Sequence, residues 1–295
     1  MDEAASLEAR LQALRARIRD LGSVLVCYSG GVDSAFVLAV AHGELGSSAV
    51  GMTAVSPSLP PYELEEASRV ARGIGAEHRL VESAEMEDPS YVANNPDRCF
   101  HCKSELYRIA VAKRTEWSLD AILNGTNVDD LGDYRPGLEA ARQAGVVSPL
   151  VELGFDKAMV RAGSAAIGLS IWDKPAAACL SSRIPYGTSV TRERLTQIGG
   201  FELALRQLGF RQVRVRYHGG DTPHPRHDGS TPNAPLARIE LGLEELARAA
   251  DPTVRAAIVE AGKAHGFRFV TLDLGGYRLG SHNEVLVGRA LKIVS

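Results

Sequence analysis

The sequence has little of what marks a membrane protein, a secreted protein or a dedicated nucleic-acid binder. No apolar run approaches the roughly 18 residues that span a bilayer. The N-terminal segment has an acidic start followed by apolar positions at helical spacing, without a cleavage signature. The formal net charge of −3 lacks the basic excess of a protein devoted to nucleic acid. These absences predict a cytoplasmic protein that binds neither membranes nor nucleic acid.

Cysteine is also scarce. The 295 residues, 45% hydrophobic and 23% charged, suit a globular chain with a sizeable core. A chain of this length in a reducing compartment gains little from disulfides, so closely spaced cysteines are expected to be ligands or reactive thiols. Among the four, Cys27 lies in an apolar run and is expected to be a small core residue. Cys99, Cys102 and Cys179 require a chemical explanation.

Short β-type runs alternate with amphipathic helical patterns in the first part of the chain. Runs that are apolar on both faces and separated by helices are typical of a parallel sheet covered on both sides. The sequence therefore predicts an α/β fold with a doubly wound parallel sheet, in which ligands bind beyond the carboxyl ends of the strands. The predicted strands cover 23–29, 48–56, 76–83 and 119–126, and the predicted helices cover 33–45, 61–74 and 102–116.

The pattern changes beyond about residue 170, where a stretch rich in Pro, Ser and Gly leads into a smaller C-terminal α+β domain. We predict two domains, 1–172 and 173–295. Segment 219–234 holds three prolines and two histidines and is interpreted as a flexible insertion, whose histidines either bind a metal or lie in a solvated loop. The predicted elements of this domain are a helix at 191–209, a half-exposed strand at 211–218, strands at 234–241 and 267–274, and helical residues near 243–265.

The motif "SGGVDS" follows the first predicted strand directly and opens the first predicted helix of the sheet. Gly30 and Gly31 allow backbone N–H groups to approach an anion, and the helix dipole adds attraction for it. The hydroxyls of Ser29 and Ser34 can donate to phosphate oxygens, while Asp33 can cap the helix or orient a cation. An ordinary capped turn is the alternative. The motif has neither the lysine of a Walker loop nor the glycine spacing of a dinucleotide turn.

On these residues the sequence resembles the PP-loop ATP pyrophosphatases, whose S-G-G-x-D-S loop holds the pyrophosphate of ATP and whose sheet is adenine nucleotide alpha hydrolase-like. Such enzymes cleave ATP between its α- and β-phosphates and leave the substrate as an adenylate. The stretch "GTNVDD" resembles a second signature of that superfamily. By this resemblance Asp129 and Asp130 are expected to help hold Mg²⁺ and the phosphates.

The remaining cysteines lie in "RCFHCK" and "ACLSSR". Cys99 and Cys102 have the spacing that grips one metal ion, and Cys179 adds a third thiolate, which suits an open [4Fe-4S] cluster with one iron free of protein ligands. His101 is poorly placed as a fourth zinc ligand. A Cys₃His zinc site that uses another histidine and a redox-active Cys99–Cys102 pair remain as alternatives.

Together with "GTNVDDLGDYRPG", "ACLSSRIPYG", "RVRYH", "ARIE" and "LDLGGYRLGSHNE", these motifs resemble the LarE family from about residue 15 to the C-terminus. Its members are ATP-dependent pyridinium-3,5-bisthiocarboxylate mononucleotide synthases, which insert sulfur during synthesis of the nickel-pincer nucleotide cofactor of lactate racemase. The segment 219–234 departs from the family pattern. The resemblance implies a nucleotide substrate, ATP, Mg²⁺, a sulfide or other sulfur donor, and a ring-like homo-oligomer, with a hexamer as one candidate.

The resemblance also implies site residues. In one branch of the family the cysteine matching Cys179 gives up its own sulfur, and in the other three cysteines hold an iron–sulfur cluster. Because all three are present here, a cluster-bound sulfide is expected, with sacrifice of Cys179 as the alternative. The family pattern further implies a phosphate grip by Arg183, Arg214 and Arg216, and divalent-ion binding by Glu202 and Glu240.

Without the resemblance, Arg214 and Arg216, two residues apart, are simply one basic face of an exposed strand, and Glu202 is a surface residue of a helix. Other chemistries also carry the loop motif. An amidotransferase-type adenylator would use ammonia and has no need of three thiols. A tRNA-thiolating enzyme would be expected to show a basic surface, which a net charge of −3 disfavours. A nucleotide sensor without catalysis would release no pyrophosphate.

Overall fold

The computed structural model describes residues 3–132, 136–175, 178–219 and 235–278. Two compact units divide the chain: Met1–Tyr91 with Pro96–Ala177, and Val92–Asn95 with Ala178–Ser295. The predicted division falls between residues 172 and 173, and nothing in the sequence pattern indicated that a short upstream segment joins the second unit. Apart from Gly219, the predicted insertion 219–234 lies outside the described residues.

The first unit is built on a four-stranded parallel sheet in the order β3-β2-β1-β4. The predicted doubly wound α/β fold is therefore confirmed. Its strands are β1 Val24–Cys27, β2 Ala49–Val55, β3 Glu77–Glu82 and β4 Ala121–Leu123. Its helices are α1 Glu3–Arg19, α2 Val32–Leu45, α3 Pro61–Ile74, α4 Pro89–Val92, α5 Arg98–Glu116, α6 Pro136–Gln143, α7 Pro149–Glu152 and α8 Lys157–Ala166; the last residue of α4 belongs to the second unit.

Strand β1 shows why the sheet is covered on both faces. Its four residues are all buried, and because successive side chains of a strand point to opposite faces they enter two different cores. Val24 and Val26 pack in the core that contains Phe36, whereas Leu25 and Cys27 pack in the other. The expectation that Cys27 is a core residue is thus confirmed.

Strand β3 departs from the expected pattern. Its run was expected to be apolar on both faces, but no residue of β3 is fully buried, and Leu80 is about half exposed. The reason is its position, because among the described strands β3 pairs only with β2 and lies at the edge of the sheet.

The second unit is the expected smaller α+β domain. Its sheet has the order β5-β6-β7, with β5 antiparallel and β7 parallel to β6. The fully buried Phe201 and Phe267 pack against each other in its core. Its elements are α9 Arg192–Gln207, β5 Val213–His218, β6 Leu236–Leu241, α10 Leu246–Ala249, α11 Pro252–Ala264 and β7 Phe269–Leu272.

The expected half-exposed character of β5 is wrong. Every residue of this strand is buried except His218, including both arginines that alternate with its apolar side chains. The alternation predicted two different faces correctly, but the polar face is covered: Arg216 binds a carboxylate and a carbonyl, and Arg214 packs on the ring of Tyr277. Burial of charged residues in this way requires hydrogen-bonded partners.

No helix among the described residues combines the length and the apolar character that crossing a lipid bilayer would require.

Candidate active site

The motif "SGGVDS" forms the turn from β1 into α2, at the carboxyl edge of the sheet. Ser34 is buried, and its hydroxyl accepts a hydrogen bond from the Ser29 N–H at 3.1 Å and donates to the Gly31 carbonyl at 3.1 Å. The Ser29 hydroxyl lies 3.1 Å from that of Ser34. The Gly31 carbonyl also accepts the first helical bond, from Ala35 N–H at 3.0 Å. The two hydroxyls therefore close the loop, and the N-terminus of α2 opens at its mouth.

Glycine is required at position 30 for two reasons. Its φ is +76°, which L-residues with side chains rarely adopt. A Cβ atom there would also lie 2.7 Å from the Cβ of Ala67 in α3. The neighbouring Tyr28 hydroxyl donates to the Ala67 carbonyl at 2.9 Å. The loop therefore packs directly against helix α3.

A second glycine, Gly125, brings the two predicted ATP motifs together. A Cβ at this position would lie 2.6 Å from the Ser34 nitrogen and 2.8 Å from the Asp33 carbonyl carbon. The segment after β4 therefore packs directly on the backbone of the loop after β1. These two strands are adjacent, and the strand order reverses at β1, which is the position where open α/β sheets bind ligands.

The acidic residues of the two motifs are joined by side chains that the sequence analysis did not identify. Asn127 donates to Asp33 Oδ1 at 3.0 Å, and Lys157 Nζ contacts Asp33 Oδ2 at 2.5 Å. The backbone N–H of Lys157 donates to Asp129 Oδ2 at 2.9 Å, and the N–H of Asn127 donates to Asp130 Oδ2 at 3.1 Å. Because Lys157 lies on α8, far along the chain, no local pattern linked it to the loop.

Carboxylate oxygens are ligands that Mg²⁺ prefers, and Asp33, Asp129 and Asp130 all lie on the two segments at this edge of the sheet. A carboxylate offers about four lone-pair sites, so the hydrogen bonds described above leave acceptor capacity on each of them. Among the described residues, however, no three acidic side chains lie close enough together to hold a metal ion. The binding of Mg²⁺ by these aspartates therefore stays a prediction.

Lys174 also binds the loop. Its Nζ lies 2.8 Å from Glu63 Oε2, 2.7 Å from Glu66 Oε2 and 3.4 Å from the Gly30 carbonyl oxygen. Its side chain is about nine-tenths buried. This ion-pair group was not predicted from the sequence, because the three residues belong to no common motif.

Cys99 and Cys102 occupy the first turn of α5, which follows Asp97. Cys99 is exposed and Cys102 is half-buried, and neither of them is in a disulfide bond. Between them, His101 has its Nδ1 3.3 Å from Asp88 Oδ2 and its Nε2 3.7 Å from Asp97 Oδ2. Both ring nitrogens therefore face carboxylates, in agreement with the view that His101 is poorly placed as a metal ligand.

The donor set for an iron–sulfur cluster consists of thiols that suit iron, two of them on one helical turn. Within the described part of the chain, no group of three or more His, Cys, Asp or Glu residues lies close enough together to hold a metal ion. Cys179 belongs to the second unit, whereas the other two cysteines belong to the first. The [4Fe-4S] cluster consequently stays a prediction from the sequence.

In the second unit, Cys179 precedes a short 3₁₀ turn, Leu180–Arg183. Its thiol is exposed, with the sulfur 3.0 Å from the Ser181 hydroxyl. Arg183 binds back to this segment, donating to the carbonyls of Ala178 at 2.7 Å and Cys179 at 3.1 Å. The guanidinium group therefore fixes the backbone that presents the thiol.

Arg183 is itself held by Glu202 of α9. Its Nε and NH2 donate to the two carboxylate oxygens at 2.8 and 3.2 Å. Glu202 also accepts a hydrogen bond from the Val215 N–H at 2.9 Å, which ties helix α9 to β5. The alternative interpretation of Glu202 as a surface residue is wrong, because the side chain is fully buried in this network.

Arg216 and Glu240 form a second buried pair. Two parallel hydrogen bonds of 2.9 Å join them, and a third donor of Arg216 reaches the Ser182 carbonyl at 2.9 Å. Glu202 and Glu240 were both predicted to bind a divalent ion. In this structure each of them forms an ion pair with an arginine. Their metal-binding role stays a prediction, and the geometry adds that each stabilises an arginine beside the segment of Cys179.

Arg214 differs from both. It is buried, its guanidinium lies 4.3 Å from the ring centre of Tyr277, and among the described residues it has no carboxylate partner. Burial is the largest cause that lowers its pKa, and the positive charges of Arg183 and Arg216 lower it further. A guanidinium group stays charged even so. A buried guanidinium group that forms no ion pair with a described residue is well suited to an anionic ligand.

A parallel sheet whose first strand turns into a helix through paired glycines, with an acidic segment packed against that turn, is the arrangement of a PP-loop ATP-using enzyme. A family model described as Asparagine synthase matches residues 7–114. The chain is 45% identical over 280 residues, 95% of its length, to an uncharacterised protein of Synechocystis sp. that it covers to 99%.

It is also 36% identical over 284 residues, 96% of each chain, to the pyridinium-3,5-bisthiocarboxylic acid mononucleotide synthase of Lactiplantibacillus plantarum. An uncharacterised protein of Methanocaldococcus jannaschii is 24% identical over 255 residues, 86% of this chain and 90% of that one. The chain belongs to the LarE family of the PP-loop superfamily. It is an ATP-dependent sulfurtransferase.

Proposed function

We propose that the protein adenylates a carboxylate of pyridinium-3,5-biscarboxylic acid mononucleotide and replaces a carboxylate oxygen by sulfur. The relative from Lactiplantibacillus plantarum carries the name of a synthase of the corresponding bisthiocarboxylic acid. We propose further that this reaction belongs to the synthesis of the nickel-pincer nucleotide cofactor of lactate racemase. A cytoplasmic location and a ring-like homo-oligomer belong to the same proposal.

The observation that carries this proposal is the group around Cys179. A substrate of this kind bears a phosphate and carboxylates, so it needs fixed positive charge. Arg214 supplies a buried cation without a carboxylate partner among the described residues, in the unit that also presents the exposed thiol of Cys179. Arg183 and Arg216, each already paired with a glutamate, orient the thiol segment and take part in phosphate binding through charge.

The first step forms a bond between a substrate carboxylate oxygen and the α-phosphorus of ATP. The bond from that phosphorus to the bridging oxygen breaks, and pyrophosphate leaves. The N-terminus of α2 and the loop Ser29–Ser34 bind pyrophosphate through backbone N–H donors, at the place where the developing charge is greatest. Asp33, Asp129 and Asp130 would hold Mg²⁺, which offsets that charge.

The second step replaces AMP by sulfur. If Cys179 is the donor, its thiolate attacks the acyl carbon, AMP leaves and a thioester forms. Loss of the Cα proton then breaks the Cβ–S bond, which yields the thiocarboxylate and leaves dehydroalanine in the chain. A [4Fe-4S] cluster held by Cys99, Cys102 and Cys179 would instead supply a replaceable sulfide, and this is the route we favour because all three thiols are present.

The direct test uses anaerobically purified protein with Mg²⁺, ATP and the dicarboxylate mononucleotide. We expect AMP and pyrophosphate in equal amounts and a product whose mass shows oxygen replaced by sulfur. Omission of the dicarboxylate and the variant Asp33→Asn are the controls. Formation of ADP, or of an amide when ammonia is present, would contradict the proposal.

A second experiment separates the sulfur sources. With a cluster, more than one sulfur per chain is transferred when sulfide is supplied, the mass of the chain is unchanged, and Cys99→Ala removes the iron chromophore. With sacrifice of Cys179, transfer stops at one sulfur per chain and the mass falls by that of H₂S. A Cys99→Ala variant with full iron and full activity would contradict the cluster.

A further inference from the structure

We propose that Lys174 is a positioning residue that sets the peptide between Gly30 and Gly31 for binding the pyrophosphate part of ATP. The proposal rests on the use of ATP and deepens it, because it assigns a function to a buried ion-pair group that the reaction scheme leaves unused. It does not depend on which compound receives the sulfur.

The charge of Lys174 orients one peptide of the loop. The Gly30 carbonyl oxygen lies 3.4 Å from Lys174 Nζ, a long hydrogen bond strengthened by the positive charge. In a planar trans peptide the carbonyl and the following N–H point in opposite directions. A cation that holds the Gly30 carbonyl therefore also directs the Gly31 N–H away from Lys174, toward the mouth of the loop.

The orientation of this peptide depends on a contact from outside the loop. Gly30 has a φ of +76° and no side chain, so its own backbone has more than one accessible conformation. The Gly31 N–H has only a weak partner within the loop, since the Ser29 hydroxyl oxygen lies 3.4 Å away. Such a donor is available for a phosphate oxygen only if the peptide does not rotate.

Lys174 does not bind the phosphate directly. Its ammonium contacts Glu63 at 2.8 Å and Glu66 at 2.7 Å, and these carboxylates lie three residues apart on α3. One cation between two carboxylates leaves a net negative charge, which repels an anion. The side chain of Lys174 is about nine-tenths buried as well. Lys174 thus acts through the Gly30 carbonyl.

The other contacts of the loop agree with this role of Lys174. The same helix, α3, receives the Tyr28 hydroxyl bond at Ala67 and the close contact of Gly30 with the Ala67 side chain. Lys174 adds a third attachment, through Glu63 and Glu66. Steric contact fixes where Gly30 lies, and the charge fixes which way its carbonyl points.

The test compares nucleotides that differ only in the phosphates which the loop binds. In the double variant Lys174→Met/Glu63→Gln, which avoids leaving both carboxylates unpaired, the Kd for a non-hydrolysable ATP analogue should rise about tenfold, the effect of a lost charge-assisted hydrogen bond. The Kd for AMP should change less than twofold. Both are measured by titration calorimetry without sulfur acceptor, so failure of the sulfur-transfer proposal would not affect the result.

Two controls make the outcome specific. Lys113→Met/Glu116→Gln makes the same two changes of residue type in an ion pair on the surface of α5 and should leave both affinities unchanged. Lys174→Arg retains the cation and should keep the ratio of the two affinities within threefold of the wild type. Three results would overturn the proposal. The double variant could lose equal affinity for the ATP analogue and for AMP, or it could bind the ATP analogue as tightly as the wild type. The Lys174→Arg variant could bind the ATP analogue as weakly as the double variant.

Discussion

At the scale of single residues, three arginines of the second unit show how the partner of a buried charge decides its role. Arg183 and Arg216 are each bound by a buried glutamate, and both also hold carbonyls of the segment that carries Cys179. Arg214 faces an aromatic ring instead. The first two are therefore expected to contribute to the architecture of the site, and the third to ligand binding.

Replacement of Arg183 by methionine should destabilise the protein strongly. It would remove the arginine that binds the fully buried Glu202 through two hydrogen bonds, and breaking a buried ion pair from one side costs about 3–5 kcal/mol of unfolding free energy. Urea denaturation measures the effect. Arg183→Met/Glu202→Leu should recover most of it, because the uncompensated charge is gone. The exposed Arg192 is the matched control, and Arg192→Met should cost less than about 0.5 kcal/mol. Equal effects of the two single variants would contradict this assignment.

Replacement of Arg214 by methionine should weaken substrate binding without lowering the stability of the protein. Because the guanidinium is buried without a carboxylate partner among the described residues, its removal should leave the unfolding free energy unchanged or raise it. Affinity for the mononucleotide substrate should fall about 10- to 100-fold, from the loss of charge-assisted hydrogen bonds to phosphate. Calorimetry with the substrate alone measures this, and a variant that binds it normally would exclude Arg214 from the site.

Cys27 should be chemically inert although it lies close in sequence to the ATP loop. Burial raises its pKa to about 12, so the neutral thiol is the favoured form and almost none of it is thiolate at pH 8. With iron removed, iodoacetamide at pH 8 should label the exposed Cys99 and Cys179 and leave Cys27 unmodified until the chain is denatured. Mass spectrometry of the peptides reports each site. Labelling of Cys27 at the rate of Cys99 would contradict its burial.

At the scale of elements, the site depends on two segments that follow adjacent strands. Gly125→Ala should push the segment after β4 away from the loop after β1, because its new methyl group would lie 2.6 Å from the Ser34 nitrogen. Overpacking of this kind costs about 1–3 kcal/mol of unfolding free energy. We expect a lower Tm and weaker binding of ATP.

Gly43 in α2 is the matched control for this substitution. A Cβ at Gly43 would meet no atom within 4 Å, and alanine is favoured over glycine in a helix. Gly43→Ala should therefore leave ATP binding unchanged and raise stability by up to about 1 kcal/mol. If both alanine variants bind ATP like the wild type, the close approach at Gly125 has no functional consequence.

The edge strand β3 contributes a pH dependence through His78. The Thr53 hydroxyl donates to the Tyr28 carbonyl at 2.6 Å and lies 2.8 Å from His78 Nε2, so the histidine supplies the proton of that second bond. Burial lowers the pKa of His78. The folded state therefore favours the neutral imidazole, and its contribution to stability is present above the unfolded-state pKa and lost as the pH falls through the folded-state pKa.

We expect the unfolding free energy of the wild type to fall more steeply below about pH 6.5 than that of His78→Gln. Glutamine retains a donor near the position of Nε2 and cannot titrate. Denaturation curves at a series of pH values measure the difference between the two proteins, which cancels the contribution of other groups. Parallel curves for the two proteins would exclude His78 as their source of pH dependence.

At the scale of the whole molecule, each compact unit has its own core. Phe155 is fully buried in the first and Phe201 in the second, and loss of a buried phenylalanine side chain costs about 3–5 kcal/mol. Phe155→Ala should increase amide hydrogen exchange within the first unit, and Phe201→Ala within the second.

The segment Val92–Asn95 provides the sharp test of that division. It lies in sequence within the first unit, but Asn94 donates to the carbonyls of Pro185 and Thr188 at 2.8 Å each, in the second. Its exchange should therefore respond to Phe201→Ala and not to Phe155→Ala. The opposite response would show that the segment belongs energetically with its neighbours in sequence.

The strands of both units and the helices α2, α3, α5 and α9 were predictable because their periodicity is local, whereas helices α6 to α8 were not predicted. The strands of the parallel sheet and of the second unit begin and end within a few residues of the predicted bounds. The errors arose where position in the sheet decided burial: β3 is exposed because it is an edge, and β5 is buried although it carries arginines.

The sequence by itself determined the α/β class, the ATP loop and the residue types around it, since paired glycines, hydroxyls and carboxylates at fixed short spacing have few other uses. Only the tertiary structure decided that Lys157 and Lys174 support that loop, and that Glu202 and Glu240 pair with arginines. These contacts join residues from 19 to 144 positions apart. A charge finds such a partner through the packing of whole elements, and local sequence carries no record of it.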